Sequence, residues 1–515
     1  MATHHVLLRL PFGNLENPTV LSDTSAYLSD ASYLPNGFAL GVVRPHSESG
    51  VAQVLLTHSS VLPIGAQSSV TGGATPFGEV ILSMQHFSEM TLENDTVCVG
   101  AGVSLRVLQD FLDTHGYWLA GIPTYDGAQV GGALSTNAAG ATTFKYGSIR
   151  NQTIGLTVVL ASGDVLDIQR GQYQAHIDGY FEFSNLERTW RVPVPSYTMP
   201  AVEKSSAGYF SAPQMDLIDL FIGAEGTLGI IVAAKFRVIS PRPRVAMALI
   251  PCPNELAALK FTAALRLLAF ERRAGRRGLD VSAIEYMDGR CVELLHQDGS
   301  DQRLGFYLEP STCQALLLVQ IELPKSSQET DLADFFSLLE QHQLENTCLY
   351  AAPEDHKAAK AMIALREAVP EGINARFARA KREVDPRITK VGADMVVPFA
   401  QLGKAMQAYR QVFDATGIDY AIWGHASDGN MHPNMLPRHF EDVEIAKQAV
   451  LKLGEIIIQL GGCPMAEHGV GRNQTKQALL LQLYGEAGIR QMQNVKKSLD
   501  PNWILSPNVL VSFYF

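Results

Sequence analysis

The sequence predicts an α/β or α+β first part and, after it, an antiparallel sheet backed by helices. Three observations predict it. Residues 40–170 alternate short apolar strands and helices, separated by glycine-rich turns. From about residue 245 the strands and helices lengthen. Near residue 428 an Asp-Gly pair sits between two strand-like runs. Interleaved strands and helices imply an α/β or α+β architecture. At 515 residues the chain is too long for one core, so two or three domains are expected. Pro241-Arg-Pro243 marks one boundary. The resulting division is 1–243, 244–420 and a C-terminal segment 421–515.

Composition narrows the class. Hydrophobic residues make up 46% and charged residues 18%, which fits a folded globular protein and excludes disorder. A net charge of −11 argues against nucleic acid as a partner, because phosphate recognition needs a basic surface. The six cysteines, at 98, 252, 291, 313, 348 and 463, include no C-x-x-C pair. That spacing rules out a cysteine-bound iron–sulfur cluster or zinc on this chain and suits a reducing compartment. No charged n-region with an apolar h-region is visible, and no run of 18 apolar residues exists, so a cytoplasmic location is expected. The cluster Arg272-Arg273-Ala-Gly-Arg276-Arg277 reads first as a solvated helix end. Peripheral contact with the inner face of a membrane is the minority reading.

In the first part, strands are expected at 61–64, 80–83, 97–99 and 156–164, and helices at 47–58 and 104–115. Ser47 and Ser104 are the expected N-caps. Residues 171–203, rich in Tyr, Phe, Pro and Arg, show no clear period and read as a long, irregular excursion over the surface or the site. Strand character returns at 223–231. In the second part, helices are expected at 255–272, 328–343, 355–369, 399–416 and 440–461, and strands at 313–322 and 394–398. Residues 500–510 read as an extended tail, and no internal repeat is present.

Two glycine-rich stretches carry chemistry. One is Pro63-Ile64-Gly65-Ala66-Gln67-Ser68-Ser69-Val-Thr71-Gly72-Gly73; the other runs from Gly127 through Gly131-Gly132 and Ser135-Thr136-Asn137 to Gly140. Such loops bring backbone N–H groups close to a pyrophosphate. One alone is explained by tight turns; two within 80 residues favour a phosphate-bearing cofactor. Neither matches G-x-G-x-x-G or G-x-x-x-x-G-K-[ST], which disfavours an NAD-type domain and an ATPase.

The stretch Trp423-Gly-His425-Ala-Ser-Asp428-Gly429-Asn430-Met-His432-Pro is the sharpest signal. With Asp428-Gly429 as a two-residue turn, His425 would oppose His432 on one face, their Cβ atoms roughly 5 Å apart. Two imidazoles so placed can grip a divalent ion. Glu467, in Ala466-Glu467-His468-Gly469-Val-Gly471, offers a third ligand and leaves positions open for substrate.

These segments, taken in order, resemble the vanillyl-alcohol-oxidase-type (PCMH) flavoproteins. The first half carries the loop 63–73, Pro123, Gly131 to Gly140, Tyr146-Gly-Ser148-Ile149 and Gly223-Ala-Glu225-Gly226-Thr227-Leu-Gly229. The second half is similar to the C-terminal domain of FAD-linked oxidases, through Glu285-Tyr-Met-Asp288, residues 390–398, the histidine hairpin and Glu467 to Gly471. The members most resembled are the FAD-dependent D-lactate, glycolate and D-2-hydroxyglutarate dehydrogenases. The chain departs from the pattern at Gly65-Ala66-Gln67-Ser68, where the family carries Gly-Gly-Gly-Thr or Gly-Gly-Asn-Thr. No His stands in this loop, so the flavin is expected to be non-covalent.

The resemblance implies a PCMH-type FAD-binding domain, an antiparallel-sheet cap domain for substrate, and a C-terminal segment returning to the flavin. It implies FAD contacts from Pro63, Ile64, Gly65, Ala66, Gln67, Ser68, Ser69, Thr71, Gly72, Pro123, Gly131, Gly132, Thr136, Asn137, Ser148, Ile149, Glu225, Gly226 and Ile230. Arg366 and Lys390 are implied for the substrate carboxylate, and Asn430 for a substrate hydrogen bond. The metal would be Zn, Mn or Fe on His425, His432 and Glu467, polarising the hydroxyl, with His468 as base. Electrons would leave to a quinone, a cytochrome, an electron-transfer flavoprotein or a partner subunit; a homodimer is a further expectation. Two other functions stand beside this one: a flavin-dependent oxidase of another alcohol, and a non-catalytic flavin subunit of a respiratory complex.

Overall fold

The computed structural model describes residues 7–12 and 18–512. Compactness divides the chain into two units, and the first is discontinuous. Unit 1 holds residues 1–140, 147–242 and 465–515; unit 2 holds 141–146 and 243–464. Residues 421–464, grouped by sequence with the C-terminal segment, thus share a core with the residues from 243 onward.

Unit 1 contains a six-stranded antiparallel sheet in the order Leu7–Arg9, Val165–Gln169, Thr153–Val159, Ile230–Arg237, Thr96–Gly100, Met90–Glu93. A parallel three-stranded sheet sets Val80–Ser83 between Gly41–Val43 and Val61–Ile64. Val43, Val61 and Leu82 of the small sheet share a buried apolar cluster with Val159, Val165 and Ile230 of the large one. The helices Glu48–Thr57 and Leu105–Thr114 start at the expected serines. Ser47 Oγ accepts from Gly50 N at 3.1 Å and Ser104 Oγ from Val107 N at 3.3 Å.

The excursion is not irregular. Tyr180–Ser184 and Thr189–Pro193 form an antiparallel hairpin. Phe181, Phe183, Trp190 and Val192 are buried while Glu182 and Arg191 are exposed, a plain period of two. A helix that sequence reading did not anticipate, Gln474–Leu499, buries Leu479, Leu480, Ile489, Met492 and Val495, with a break at Gly485 (φ +64°). After it the chain turns extended and Leu505 bridges to Val61.

Unit 2 is built on an eight-stranded sheet. Its order is Leu349–Ala351, Val245–Cys252, Ala315–Glu322, Val281–Asp288, Tyr420–His425, Asn430–Met435, Val391–Gly392, with Met395–Val396 also paired to Asn430–Met435. Every residue of Val281–Asp288 is buried, as befits a central strand. Helices expected at 255–272, 328–343 and 440–461 appear as Glu255–Arg273, Gln328–Gln341 and Phe440–Gln459.

The helix expected to stop at Val369, before Pro370, runs on as His356–Glu383. Met362, Leu365, Val369 and Ile373 keep helical spacing across the proline and are all buried. Their packing outweighs the lost backbone bond. The arginine cluster is committed internally. Arg276 pairs with Glu271, Arg277 with Asp334 and Arg272 with Asp331, while Arg273 donates to Phe144 O and Val281 O. Among the described residues no helix is long and apolar enough to cross a membrane.

Candidate active site

The hairpin forms in unit 2, with a different register from the one expected. His425 faces Asn430 and Trp423 faces His432, so residues 426–429 make a four-residue loop. Within it only Gly429 has positive φ, at +81°. Ser427 N donates to Ile284 O of the neighbouring strand at 3.1 Å, and Asp428 Oδ1 accepts from Asn430 N at 3.2 Å. These bonds select the wider loop over a two-residue turn. A shift of two residues leaves each side chain on its original face. The imidazoles therefore still meet: their ring centroids lie 5.3 Å apart, the planes at 88°.

Each imidazole is backed by a carboxylate. Glu285, the cross-strand neighbour of His425, hydrogen-bonds its Nδ1 through Oε1. Glu285 Oε2 accepts from Arg366 Nε at 2.6 Å. Burial alone would push the Glu285 carboxyl up; His425 and Arg366 outweigh it and hold the group down at about 2. His432 Nδ1 lies 3.4 Å from Asp394 Oδ1, which accepts from Asn430 Nδ2 at 3.0 Å. The carboxylate hydrogen-bonded at His425 Nδ1 directs that ring to use Nε2, the arrangement of a metal-binding imidazole, while Asp394 stands within ion-pair distance of His432. Asn430 Oδ1 and Ser427 Oγ, both fully buried, have no hydrogen-bond partner. Buried polar atoms left this way favour a polar ligand. The donor set and the two open polar atoms fit a divalent ion with a polar substrate beside it.

The expected carboxylate binders are placed as follows. Arg366 uses Nε on Glu285. Lys390 Nζ donates to Asn374 Oδ1 at 3.1 Å, eight residues further along the helix that carries Arg366, about 12 Å of rise. Lys390 is an exposed residue, and the protein atoms around its ammonium pull its pKa down to about 8.

Glu467 and His468 belong to unit 1. Consecutive residues share a side only if the backbone turns, and Gly469 (φ +74°) and Gly471 (φ +56°) turn it. His468 Nε2 then lies 4.0 Å from Glu467 Oε2. The segment is bolted at several points. Lys204, buried, pairs with Glu467 Oε1. Ser206 N donates to Met465 O at 3.1 Å, and Ser206 Oγ accepts from Gly469 N at 3.0 Å. Val470 N and Gly471 N donate to Glu225 Oε1 and Oε2 at 2.8 Å each. Sequence reading missed Lys204, Glu285 and Asp394 as site residues. A lone Glu in the apolar run Val281-Ser-Ala-Ile-Glu285 was a usable signal, since a buried charge demands a partner. Glu203-Lys204-Ser-Ser reads as surface and offered none.

Glu225, expected at the cofactor, accepts from this segment's backbone. Burial raises its pKa to about 7, against the pull of the two N–H donors. A carboxyl that keeps its proton longer in the fold than in the unfolded chain stabilises the fold below the unfolded value. That contribution is lost as pH rises through the folded one. Thermal stability should therefore fall between about 4.5 and about 7. Glu225→Gln should flatten that slope, measured by melting across the range; an unchanged slope would discard the assignment.

The other expected cofactor residues lie in unit 1 in two roles. Pro63 and Ile64 close the strand Val61–Ile64, and Gly65, Ala66, Ser68, Ser69, Thr71 and Gly72 form the loop after it. A Cβ at Gly65 would sit 3.0 Å from Gln129 Oε1, a buried atom with no hydrogen-bond partner. The loop is a cradle that side chains would fill. Gln67, the bulky departure, takes φ +54° and turns its amide to Ser29 O at 2.8 Å. Gly131 and Gly132 lie in the short helix Val130–Ser135, with Thr136 at its end. Asn137 Oδ1 accepts from Ser148 Oγ at 2.9 Å, tying Ser148 and Ile149 to the second loop. Gly140 packs against Ile122 and Pro123 backbone, and a Cβ at Gly226 would meet Pro63 Cγ at 2.8 Å. Ile230 opens the strand Ile230–Arg237 and is buried in the apolar cluster.

The family model for FAD linked oxidases, C-terminal domain, matches residues 250–510, just over half of the chain. This chain belongs to the family of FAD linked oxidases. A model for the FAD binding domain matches residues 39–169, which contain both glycine loops of this oxidase. FAD is its cofactor. The oxidase is 25% identical to glycolate oxidase subunit GlcD of Bacillus subtilis, over 96% of this chain and 94% of the relative. It is 26% identical to D-lactate dehydrogenase of Archaeoglobus fulgidus, over 91% of each chain. Among solved structures, 4-ethylphenol oxidase from Gulosibacter chungangensis shares the fold with a TM-score of 0.66 at 16% identity, covering 96% of this chain and 94% of that one.

Proposed function

We propose that this FAD linked oxidase converts a D-2-hydroxy acid of the lactate, glycolate or 2-hydroxyglutarate class to the 2-oxo acid. The observation that carries the reading is the pair of imidazoles, each with a carboxylate at Nδ1, beside Asn430. Phenol oxidation needs no such pair. Relatives at about a quarter identity over nearly the whole chain are named for D-lactate and glycolate, which supports the same class.

In this reading His425, His432 and Glu467 hold a divalent Zn, Mn or Fe ion. FAD, when bound, would supply the hydride acceptor, and an ion on these ligands would supply Lewis acidity at the substrate hydroxyl. Asn430 Oδ1, its amide nitrogen already fixed by Asp394 and Met395 O, orients the substrate. His468 accepts the hydroxyl proton at Nε2, which lies 4.0 Å from Glu467 Oε2. Lys390 and the Nη groups of Arg366 attract the carboxylate. The electrons pass on to a quinone, a cytochrome, an electron-transfer flavoprotein or a partner subunit.

The test is an anaerobic visible spectrum before and after adding D-lactate, glycolate or D-2-hydroxyglutarate. Bleaching of the flavin band by one of them is expected, and its loss after chelation supports the ion. A flavin band that none of them bleaches rejects the reading. Because the Lys390 ammonium titrates near 8, KM for the bleaching substrate should rise above about that pH. Lys390→Arg should remove the rise; a KM flat with pH in the unaltered protein would separate Lys390 from substrate binding.

A further inference from the structure

We propose that Lys204 is the positioning residue of the Glu467 carboxylate, holding Oε1 so that Oε2 alone is presented as a ligand. The inference rests on the proposed metal reading and deepens it. Lys204 comes at the end of the 171–203 excursion and has a side chain with no solvent exposure, and its ammonium meets Glu467 Oε1. Burying an ammonium is costly unless it is paired with good geometry. A lysine at this position thus commits the local fold to the pair.

The pair is part of a clamp. Two residues on, Ser206 bonds the backbone on both sides of Glu467, to Met465 O at 3.1 Å and from Gly469 N at 3.0 Å. Glu225 takes the next two N–H groups. The backbone of the segment is fixed without Lys204, so the lysine's own effect falls on the carboxylate. A free carboxylate can ligate through one oxygen or both. With Oε1 on an ammonium it offers a single oxygen of set direction, and part of its charge is already balanced. The excursion gains a role from this: it delivers Lys204 and Ser206 to the segment that carries Glu467.

The experiment compares the unaltered holoprotein with Lys204→Met and Lys204→Gln. Flavin absorbance reports folding, melting reports stability, and titration of metal-stripped protein with zinc reports affinity. The loss of an outer contact to a metal-binding carboxylate typically weakens metal binding roughly 10- to 100-fold, and Lys204→Met is expected to do so with flavin retained. Lys204→Gln, which keeps an N–H donor, should weaken it less. If Lys204→Met melts earlier but binds zinc as tightly as the unaltered protein, Lys204 is only structural and the proposal is overturned. If Lys204→Met loses its flavin, Lys204→Gln decides: zinc affinity equal to the unaltered protein overturns the proposal, and weaker affinity supports it. Unaltered protein that takes up no zinc, manganese or iron overturns the metal reading itself, a result distinct from either outcome for the variants.

Discussion

Alanine at His432 or His425 is expected to strip the purified protein of divalent metal, to leave the visible flavin band in place, and to lower turnover of the bleaching hydroxy acid by about a thousand-fold, the several kcal/mol of charge stabilisation a Lewis acid supplies. The flavin should survive because both histidines lie in unit 2, while the glycine loops lie in unit 1. Glu285→Ala should fall between, with roughly 10- to 100-fold weaker metal binding, because it removes the carboxylate that sets the His425 tautomer. Metal analysis, absorbance and steady-state rates on the three variants make the check. Rates within tenfold of the unaltered enzyme in both histidine variants would sink the metal role.

Lys496→Met should strongly destabilise unit 1. Lys496 and Asp500 are both fully buried, 2.8 Å apart. The ammonium also donates to Thr227 O and Leu505 O at 2.9 Å each. Asp500 accepts from Ile504 N and Leu505 N. Breaking such a pair leaves one buried charge unbalanced, which costs about 3–5 kcal/mol. Tm should drop by roughly 10 °C for a unit of this size. Adding Asp500→Asn should recover part of the loss, because the stranded charge goes with it. A melting point for Lys496→Met within about 2 °C of the unaltered protein contradicts the argument.

Much of this was legible in the residues, for particular reasons. The glycine loops, the serine caps and the histidine hairpin are local signals, carried by a few neighbouring residues. What escaped depends on partners distant in sequence. The hairpin register turned on Ser427 N reaching Ile284 O, a bond that no reading of 423–433 contains. The helix through Pro370 survives because of the apolar stripe from Met362 to Ile373. Glu285 stands 140 residues from His425, and Lys204 stands 263 from Glu467. The hairpin Tyr180–Ser184 with Thr189–Pro193 is the exception. Its alternation was visible in Phe181-Glu-Phe183 and Trp190-Arg-Val192, obscured only by the aromatic and proline-rich company.

Unit 1 closes late. The outer edge of Val61–Ile64 is completed only by the residues around Leu505, where Val61 N donates to Ile504 O at 2.8 Å and Ser506 N to Val61 O at 2.9 Å. During synthesis the whole of residues 243–464 emerges between these partners. At about 5–20 residues per second the ribosome takes tens of seconds to supply them. For that time an apolar parallel strand offers an unpaired edge, the template from which intermolecular sheets grow. Yield on expression should therefore depend on translation speed and on chaperones that shield nascent chains.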